Sequence, residues 1–336
     1  MQKELVKMEK NNISSTDLEN CRNLTEKCRD EAKKRLVGQE NLIEGILTAF
    51  VAGGHVLLEG VPGLAKTLAV KTFAEISGLD FKRIQFTPDL LPADVSGTLI
   101  YEQAKGSFSV RKGPVFTNVV LADEINRAPA KVQSAMLEAM EEKQVTIGEN
   151  THSLPDPFFV LATQNPIELE GTYNRPEAEL DRFLIKLNVG YPTAEEEVNI
   201  LKTGGRAGQI PVKQILTASD LKKFRDLCND ITCDEKIIEY IVKIIAVTRP
   251  SNKKKTEHDI TRYITFGASP RAGIAMLQCA KATALLNGRA FVLPEDVKTV
   301  ATMVLRHRIV LSYEAAADSI TADEIIAKIL DFIPVP

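Results

Sequence analysis

The sequence predicts an α/β fold in which a parallel sheet lies between helices and a smaller all-helical domain follows. Apolar strand candidates alternate with helical segments as far as about residue 190. A glycine-rich loop joins the first of these strands to a helix, and beyond residue 191 the pattern is helical, with no convincing strand. The 336 residues are enough for two domains, which we place at 1–191 and 192–336.

The composition is that of an ordinary globular chain, with 44% hydrophobic and 26% charged residues. This balance excludes disordered, collagen-like and coiled-coil proteins. Five cysteines without a CxxC pair, and only four histidines, argue against a disulfide framework or a metal centre built from these residues.

The start of the chain carries no apolar core of the kind a signal peptide needs. The longest uncharged run, residues 45–58, is shorter than the roughly 20 residues that cross a bilayer. We therefore expect a cytoplasmic protein without membrane insertion.

Two helices precede the sheet. Thr16 and Glu19 have the spacing of a capping box, which predicts a polar helix from there to about residue 35. A more apolar helix over residues 40–52 stops at the pair Gly53 and Gly54.

The central region alternates between the two kinds of element, which is typical of a parallel sheet. The predicted strands are residues 55–58, 81–86, 118–122, 158–162 and 184–188, and the predicted helices are 66–76, 130–142 and 176–181. Two hairpins interrupt this order, one from residues 98–101 and 107–110, the other from 144–147 and 152–154.

The last region reads as helices. Thr193 and Glu196 form a second capping-box pattern. The predicted helices are 194–202, 218–227, 235–247, 270–287 and 294–307.

A phosphate-binding loop follows the first strand. Its residues are Gly60, Val61, Pro62, Gly63, Leu64, Ala65, Lys66 and Thr67. Glycines allow such a loop to turn tightly and aim N–H groups at a phosphate, and the next helix adds its positive end. Lys66 would reach the β- and γ-phosphates, and the Thr67 hydroxyl would hold Mg²⁺. Ala65 stands where the general pattern has glycine, and its methyl group fits if that position is already helical.

An acidic pair ends the third predicted strand. Asp123 would hold Mg²⁺, and Glu124 would orient and polarise the attacking water. Together with the loop, this pair predicts phosphoryl transfer from a nucleoside triphosphate.

Six segments, which follow one another along the chain in the order typical of the family, resemble the MoxR family of AAA+ ATPases. The likeness extends from about residue 37 to about residue 308. Three are the loop at 60–67, LADEINRAP at 121–129 and EAELDRF at 177–183. The others are FTPDLLPAD at 86–94, ATQNP at 162–166 and GASPRA at 267–272. Alanine before the loop lysine is usual in that family.

The resemblance implies roles for further residues. Asn165 matches the sensor-1 position, between the acidic pair and the γ-phosphate. Arg182 matches the arginine finger, which is offered to the neighbouring subunit's γ-phosphate. Arg271 matches sensor 2, which contacts the phosphates across the domain cleft. The expected nucleotide contacts are Val37 and Gly38 near the adenine, and the loop residues together with Leu68.

Two more arginines, Arg127 and Arg175, are candidates at the subunit edge. Arg175 lies in a segment where the family more often has Pro-Leu-Pro, which puts its role in doubt.

The resemblance also implies a function: Mg²⁺-dependent ATP hydrolysis by a ring, expected to be a hexamer. It points to chaperone-like remodelling, maturation or metal insertion, with a partner that carries a von Willebrand factor A domain. The two hairpins would face the central pore or a partner surface.

The alternative is a nucleic-acid motor or clamp loader, against which the net charge of −3 and the 6% aromatic content weigh. Lys66, Glu124 and Arg182 are all present, which disfavours a non-catalytic scaffold. A small-molecule kinase would not need Arg182 or Arg271.

Overall fold

The computed structural model of the chain describes residues 13–165, 180–202, 204–250 and 260–336. The strands are β1 (Val56–Glu59), β2 (Phe81–Gln85), β3 (Gly97–Glu102), β4 (Ser107–Lys112), β5 (Val119–Asp123), β6 (Gln144–Ile147), β7 (Asn150–Ser153), β8 (Phe159–Gln164), β9 (Ile185–Asn188), β10 (Ile264–Phe266) and β11 (Val310–Leu311). The helices are α1 (Ser15–Lys33), α2 (Glu40–Ala52), α3 (Lys66–Ile76), α4 (Pro92–Ser96), α5 (Ala130–Glu142), α6 (Ala194–Lys202), α7 (Ala218–Asp230), α8 (Glu235–Thr248), α9 (Pro270–Leu286), α10 (Pro294–Leu305), α11 (Tyr313–Ala317) and α12 (Ala322–Phe332).

The central sheet has the order β2-β5-β8-β1-β9, and each neighbouring pair is parallel. The predicted parallel sheet is confirmed, with strand ends within two residues of those expected. Since all five strands run the same way, every loop that follows a strand lies at one edge of the sheet. We call this the carboxyl edge, and the opposite edge, where the strands begin, the amino edge.

Both faces of the sheet are covered. Leu57 packs into a cluster with Val132 and Met136 of α5, whereas the next residue, Leu58, packs into a cluster with α2 and α3. This alternation follows from the two-residue repeat of a strand and explains why the inner strands β1, β5 and β8 are mostly apolar.

The two capping predictions have opposite outcomes. Helix α1 begins at Ser15 because the Ser14 hydroxyl accepts the Asp17 N–H at 3.0 Å, so the capping box at Thr16 is wrong. The second is confirmed: the Thr193 N–H donates to Glu196 Oε2 at 2.7 Å, and the Glu196 N–H donates to Thr193 Oγ1 at 3.4 Å.

Both inserted hairpins form, as β3–β4 and β6–β7, although β7 starts two residues earlier than predicted. The expectation of no strand beyond residue 191 is wrong, since β10 and β11 pair antiparallel. These strands have three and two residues, too few to show a period in the sequence. The short helix α4 and the last two helices were also not predicted.

The larger hydrophobic cluster runs from the sheet through α2 into α7–α10 and α12. The division at residues 191 and 192 stays a prediction, because this cluster crosses it. The predicted helix 176–181 lies outside the described residues except for its last two positions, and Arg175 lies outside them. No helix in the described part of the chain is long and apolar enough to span a bilayer.

Candidate active site

The phosphate-binding loop connects the end of β1 to the start of α3 at the carboxyl edge. Gly60 is required by close approach, since an added Cβ would lie 2.6 Å from the Val189 carbonyl oxygen. Gly63 is required by conformation, with φ +89 and open space where a side chain would stand.

Ala65, the last loop residue before α3, is not in a right-handed helical conformation. Its φ of 57 and ψ of 17 are left-handed, which costs a residue with a Cβ about 1 kcal/mol. The condition given for the methyl group, a position that is already helical, is therefore not met. The methyl is tolerated because the surrounding loop fixes this turn, as is common at ligand-binding loops.

Lys66 opens α3 and points back over the loop. Its ammonium donates to the carbonyl oxygens of Gly60 and, at 3.5 Å, of Gln164. Burial lowers the pKa of this ammonium, and the nearby Asp123 and Glu124 carboxylates oppose that shift. A cation held partly out of water beside the loop is suited to bind phosphate oxygens.

The acidic pair lies at the end of β5, next to the loop: Asp123 is the last residue of the strand and Glu124 follows it. Asp123 is nearly buried, accepts the Thr163 hydroxyl at 2.5 Å and pairs with the Arg83 guanidinium at 2.7 Å. Glu124 has a left-handed backbone, with φ 55, and its N–H donates to the same Thr163 hydroxyl at 2.8 Å. The turn therefore sends the two adjacent carboxylates in different directions.

The Glu124 carboxylate has two partners of its own. It accepts from the Gln85 amide at 2.9 Å and pairs with the Arg127 guanidinium at 2.8 Å. Arg127 is thus tied to a carboxylate of its own chain in this structure.

These residues meet in a cleft of about 430 Å³, which we call the phosphate cleft. It brings together Lys66, Thr67, Asp123, Glu124 and the buried Asn165, which follows β8. The Asp123 carboxylate and the Thr67 hydroxyl are hard oxygen ligands of the kind that Mg²⁺ takes. Mg²⁺ is usually held by one or two carboxylates and by substrate phosphates rather than by an all-protein cage, so these groups fit that ion.

A second cleft of about 670 Å³ adjoins the first along the loop, and we call it the base cleft. It is lined by Val37, Leu64, Ile200 and Leu201 and shares Pro62, Gly63, Ala65 and Leu68 with the phosphate cleft. Gly38, with φ +70, lies beside it, where an added Cβ would collide with the Glu196 carboxyl group. Of the predicted contacts, Gly38, Gly60 and Val61 line neither cleft.

Arg182 and Arg271 lie elsewhere, in a cavity of about 450 Å³ at the amino edge. Arg182 Nε is 3.4 Å from Glu141 Oε2, and Arg271 Nη2 is 3.3 Å from Glu141 Oε1. Arg271 does not line the phosphate cleft of its own chain, and its contact with phosphates stays a prediction. The N-cap of α9, Ser269, donates to Asp181 at 2.9 Å, which holds this helix beside the start of β9.

Sequence reasoning missed Arg83, Gln85, Thr163 and Glu141. Gln85 is the register partner of Asp123 across β2 and β5, and Arg83 lies two residues earlier on the same strand. Both are polar residues of β2, and no local pattern in that strand marks them as site residues. Only the sheet order, which puts β2 beside β5, gives them a role.

Comparisons with known proteins agree with this geometry. Residues 55–185 match the model of the ATPase family associated with various cellular activities (AAA), and residues 256–329 match the AAA lid domain. Chaperone MoxR1 of Mycobacterium tuberculosis is 48% identical over 91% of this chain and 81% of its own length. The chain belongs to the MoxR family of AAA+ ATPases.

Two further relatives support this assignment to the MoxR family. The uncharacterized protein YeaC of Bacillus subtilis is 44% identical over 92% of this chain and 94% of its own length. The crystal structure of a Cytophaga hutchinsonii protein assigned as an ATPase is 47% identical, with a TM-score of 0.87 over 96% of this chain and 97% of that one. This MoxR protein is a chaperone-like ATPase whose AAA domain binds nucleotide and hydrolyses ATP.

Proposed function

We propose that this MoxR ATPase works as a ring, a hexamer, in which each ATP lies between two subunits. One subunit supplies the phosphate cleft, and the next supplies Arg182 and Arg271. The observation that carries this proposal is the position of the two groups at opposite edges of one sheet. The four residues of β1 alone separate the edges by about 13 Å, so the arginines do not reach the cleft of their own chain.

A contact that joins the amino edge of one copy to the carboxyl edge of the next uses two different surfaces. Such head-to-tail contacts close into rings when the rotation between copies permits it. The separation of the half-sites therefore supports a ring rather than a two-fold dimer.

Within the phosphate cleft, Lys66 neutralises the β- and γ-phosphates, while Thr67 and Asp123 hold Mg²⁺. Bound Mg²⁺ supplies charge neutralisation on the phosphate oxygens. The adenine lies in the base cleft near Val37 and Gly38, with its phosphates running along the loop between the two clefts.

Glu124 orients the attacking water and accepts its proton, so the water lies between the Glu124 carboxylate and the γ-phosphate. Asn165, which directly follows the neighbouring strand β8, completes the polar lining on that side. Arg182 and Arg271 of the next subunit then stabilise the charge on the transferred phosphoryl group, as forked cations suit phosphate oxygens.

In this proposal, the ring uses ATP binding and hydrolysis to remodel or mature partner proteins or to insert a metal into them. Support comes from the MoxR1 relative, which is named a chaperone. The β3–β4 hairpin exposes Tyr101 and Phe108, which stack edge-to-face with centroids 5.2 Å apart. Exposed aromatic pairs suit contact with a client protein.

The resemblance to the family adds a partner with a von Willebrand factor A domain. A reducing cytoplasm suits the five cysteines, all free thiols.

The test separates ATP binding from turnover. Arg182→Ala and Arg271→Ala should each lower turnover, by about 10³-fold for Arg182. Both variants should still bind fluorescent ATP as the wild type does, because each cleft is intact. Arg22→Ala, in an exposed ion pair on α1, is the matched control. Full turnover in both site variants would contradict the shared site, and so would loss of ATP binding together with turnover.

A further inference from the structure

Glu141 stands between the two arginines of the amino edge. Its two carboxylate oxygens face Arg182 and Arg271 at 3.4 and 3.3 Å, one oxygen to each. Two guanidinium groups brought this close would otherwise repel each other. The carboxylate therefore allows the two cations to lie side by side.

A second carboxylate, that of Asp181, fixes the backbone at both arginines. Asp181 precedes Arg182 in the chain and accepts the hydroxyl of Ser269, two residues before Arg271. Asp181 also pairs at 2.6 Å with Arg308, whose side chain is only 3% exposed. The backbones that carry the arginines are thus tied to one buried ion pair, whereas their tips are aligned by Glu141 alone among the contacts described for them.

The ion pairs of Glu141 are weak enough to align the two arginines without preventing them from binding a triphosphate. Arg271 and Glu141 are 56% and 43% exposed, and ion pairs of this kind contribute about 1 kcal/mol or less. A triphosphate offers more negative charge and forked acceptors, so it draws both arginines away from Glu141 at little cost.

Glu141 also lies in the last turn of α5, at the end of the helix that is far from Glu124. Helix α5 begins six residues after Glu124, at the carboxyl edge, and ends at the amino edge. Its 13 residues span about 20 Å. One rigid element therefore joins the water-orienting residue of one ATP site to the arginines of the next.

We propose that Glu141 is a positioning residue for ATP hydrolysis in the neighbouring subunit: it aligns Arg182 and Arg271 as one unit before a triphosphate meets them. This inference rests on the proposed shared site. Misaligned arginines lower the rate of the chemical step, while ATP binding, which uses the phosphate cleft of each chain, is unaffected.

The experiment measures steady-state turnover, KM for ATP and the melting temperature of the full chain. Glu141→Gln keeps the size of the side chain and removes its charge, and it should lower kcat about tenfold with KM and melting temperature unchanged. Glu141→Asp keeps a carboxylate and should recover part of kcat. Glu141→Lys adds a third cation and should lower kcat further.

Glu142→Gln, at the next glutamate of α5, which is also exposed, is the matched control and should behave as the wild type. The proposal is overturned if Glu141→Gln turns over as fast as that control or faster, or if its KM or melting temperature changes along with kcat. Should Arg182→Ala and Arg271→Ala also keep full turnover, the shared site itself fails. Should they lose turnover while Glu141→Gln does not, only the role of Glu141 fails.

Discussion

The two edges of the sheet are built in different ways. At the carboxyl edge, the ends of β1, β5 and β8 and the segments that directly follow them place Lys66, Asp123 and Asn165 together. At the amino edge, Arg182, Glu141 and Arg271 come from the start of β9, the end of α5 and the start of α9. The first set is fixed by local strand and loop geometry, and the second depends on how the last helices pack.

This difference shows which half of the site a sequence motif specifies. The carboxyl edge carries the motif that binds nucleotide, within one chain. The amino edge carries two arginines, Arg182 and Arg271, that do not line the phosphate cleft of their own chain. The account therefore predicts that variants at the carboxyl edge change what one subunit does, while variants at the amino edge change what its neighbour does.

Lys66→Ala should have the largest effect, because it removes a cation from the phosphate cleft. ATP affinity should fall about 10²-fold or more, since each charge-assisted hydrogen bond to a phosphate contributes about 1.5–3 kcal/mol, and turnover should be lost with it. Titration with fluorescent ATP measures the affinity. Lys71→Ala, on the exposed side of the same helix, is the control. Equal affinity in the two variants would mean that the loop does not hold the triphosphate.

Glu124→Gln should have the second-largest effect in this comparison, and it should change hydrolysis rather than ATP binding. The amide cannot accept a proton, so hydrolysis should slow about 10²-fold. ATP should still bind, because Lys66 and Thr67 are unchanged. Rapid-quench measurement of bound ATP separates the two steps, with Glu138→Gln on α5 as the control. Unimpaired hydrolysis would assign the water to another residue.

A smaller effect concerns pH and the amino edge. His55 is buried there, with one ring nitrogen bonded to the Met140 carbonyl and the other accepting the Val160 N–H. Burial lowers its pKa from 6.5 to about 4. Between these values the unfolded chain binds a proton that the folded chain does not.

The free energy of unfolding should therefore fall as pH drops from about 6.5 to about 4, by at most about 2–3 kcal/mol from this residue. Urea unfolding at several pH values measures the slope. The His55→Gln variant should be less stable than the wild type at neutral pH, but its free energy of unfolding should fall less on acidification. A variant slope as steep as that of the wild type would exclude His55 as a source.

Most of the carboxyl edge could be predicted from the sequence. A glycine-rich loop between an apolar strand and a helix, and two acids at the end of another apolar strand, each follow from local pattern. The left-handed backbone of Ala65 and Glu124 could not be predicted, since neither residue type favours it. Tertiary context imposes it.

The amino edge was predicted less well, and for a physical reason. Arg182 precedes a predicted strand, so its edge could have been inferred. The position of Arg271 depends on the Ser269–Asp181 bond and on buried Arg308, which join residues about 90 or more positions apart. Gln85 was missed for the same kind of reason, because strand order is a long-range property.

The most direct test of the shared site mixes two inactive subunits. Glu124→Gln protein keeps its arginines, and Arg182→Ala protein keeps its phosphate cleft. If neighbours assemble at random in an equal mixture, about a quarter of the interfaces join one intact half from each, and turnover should rise toward that fraction of the wild-type rate. A mixture no faster than the average of its two components would contradict the claim that each ATP is hydrolysed between two copies of this chain.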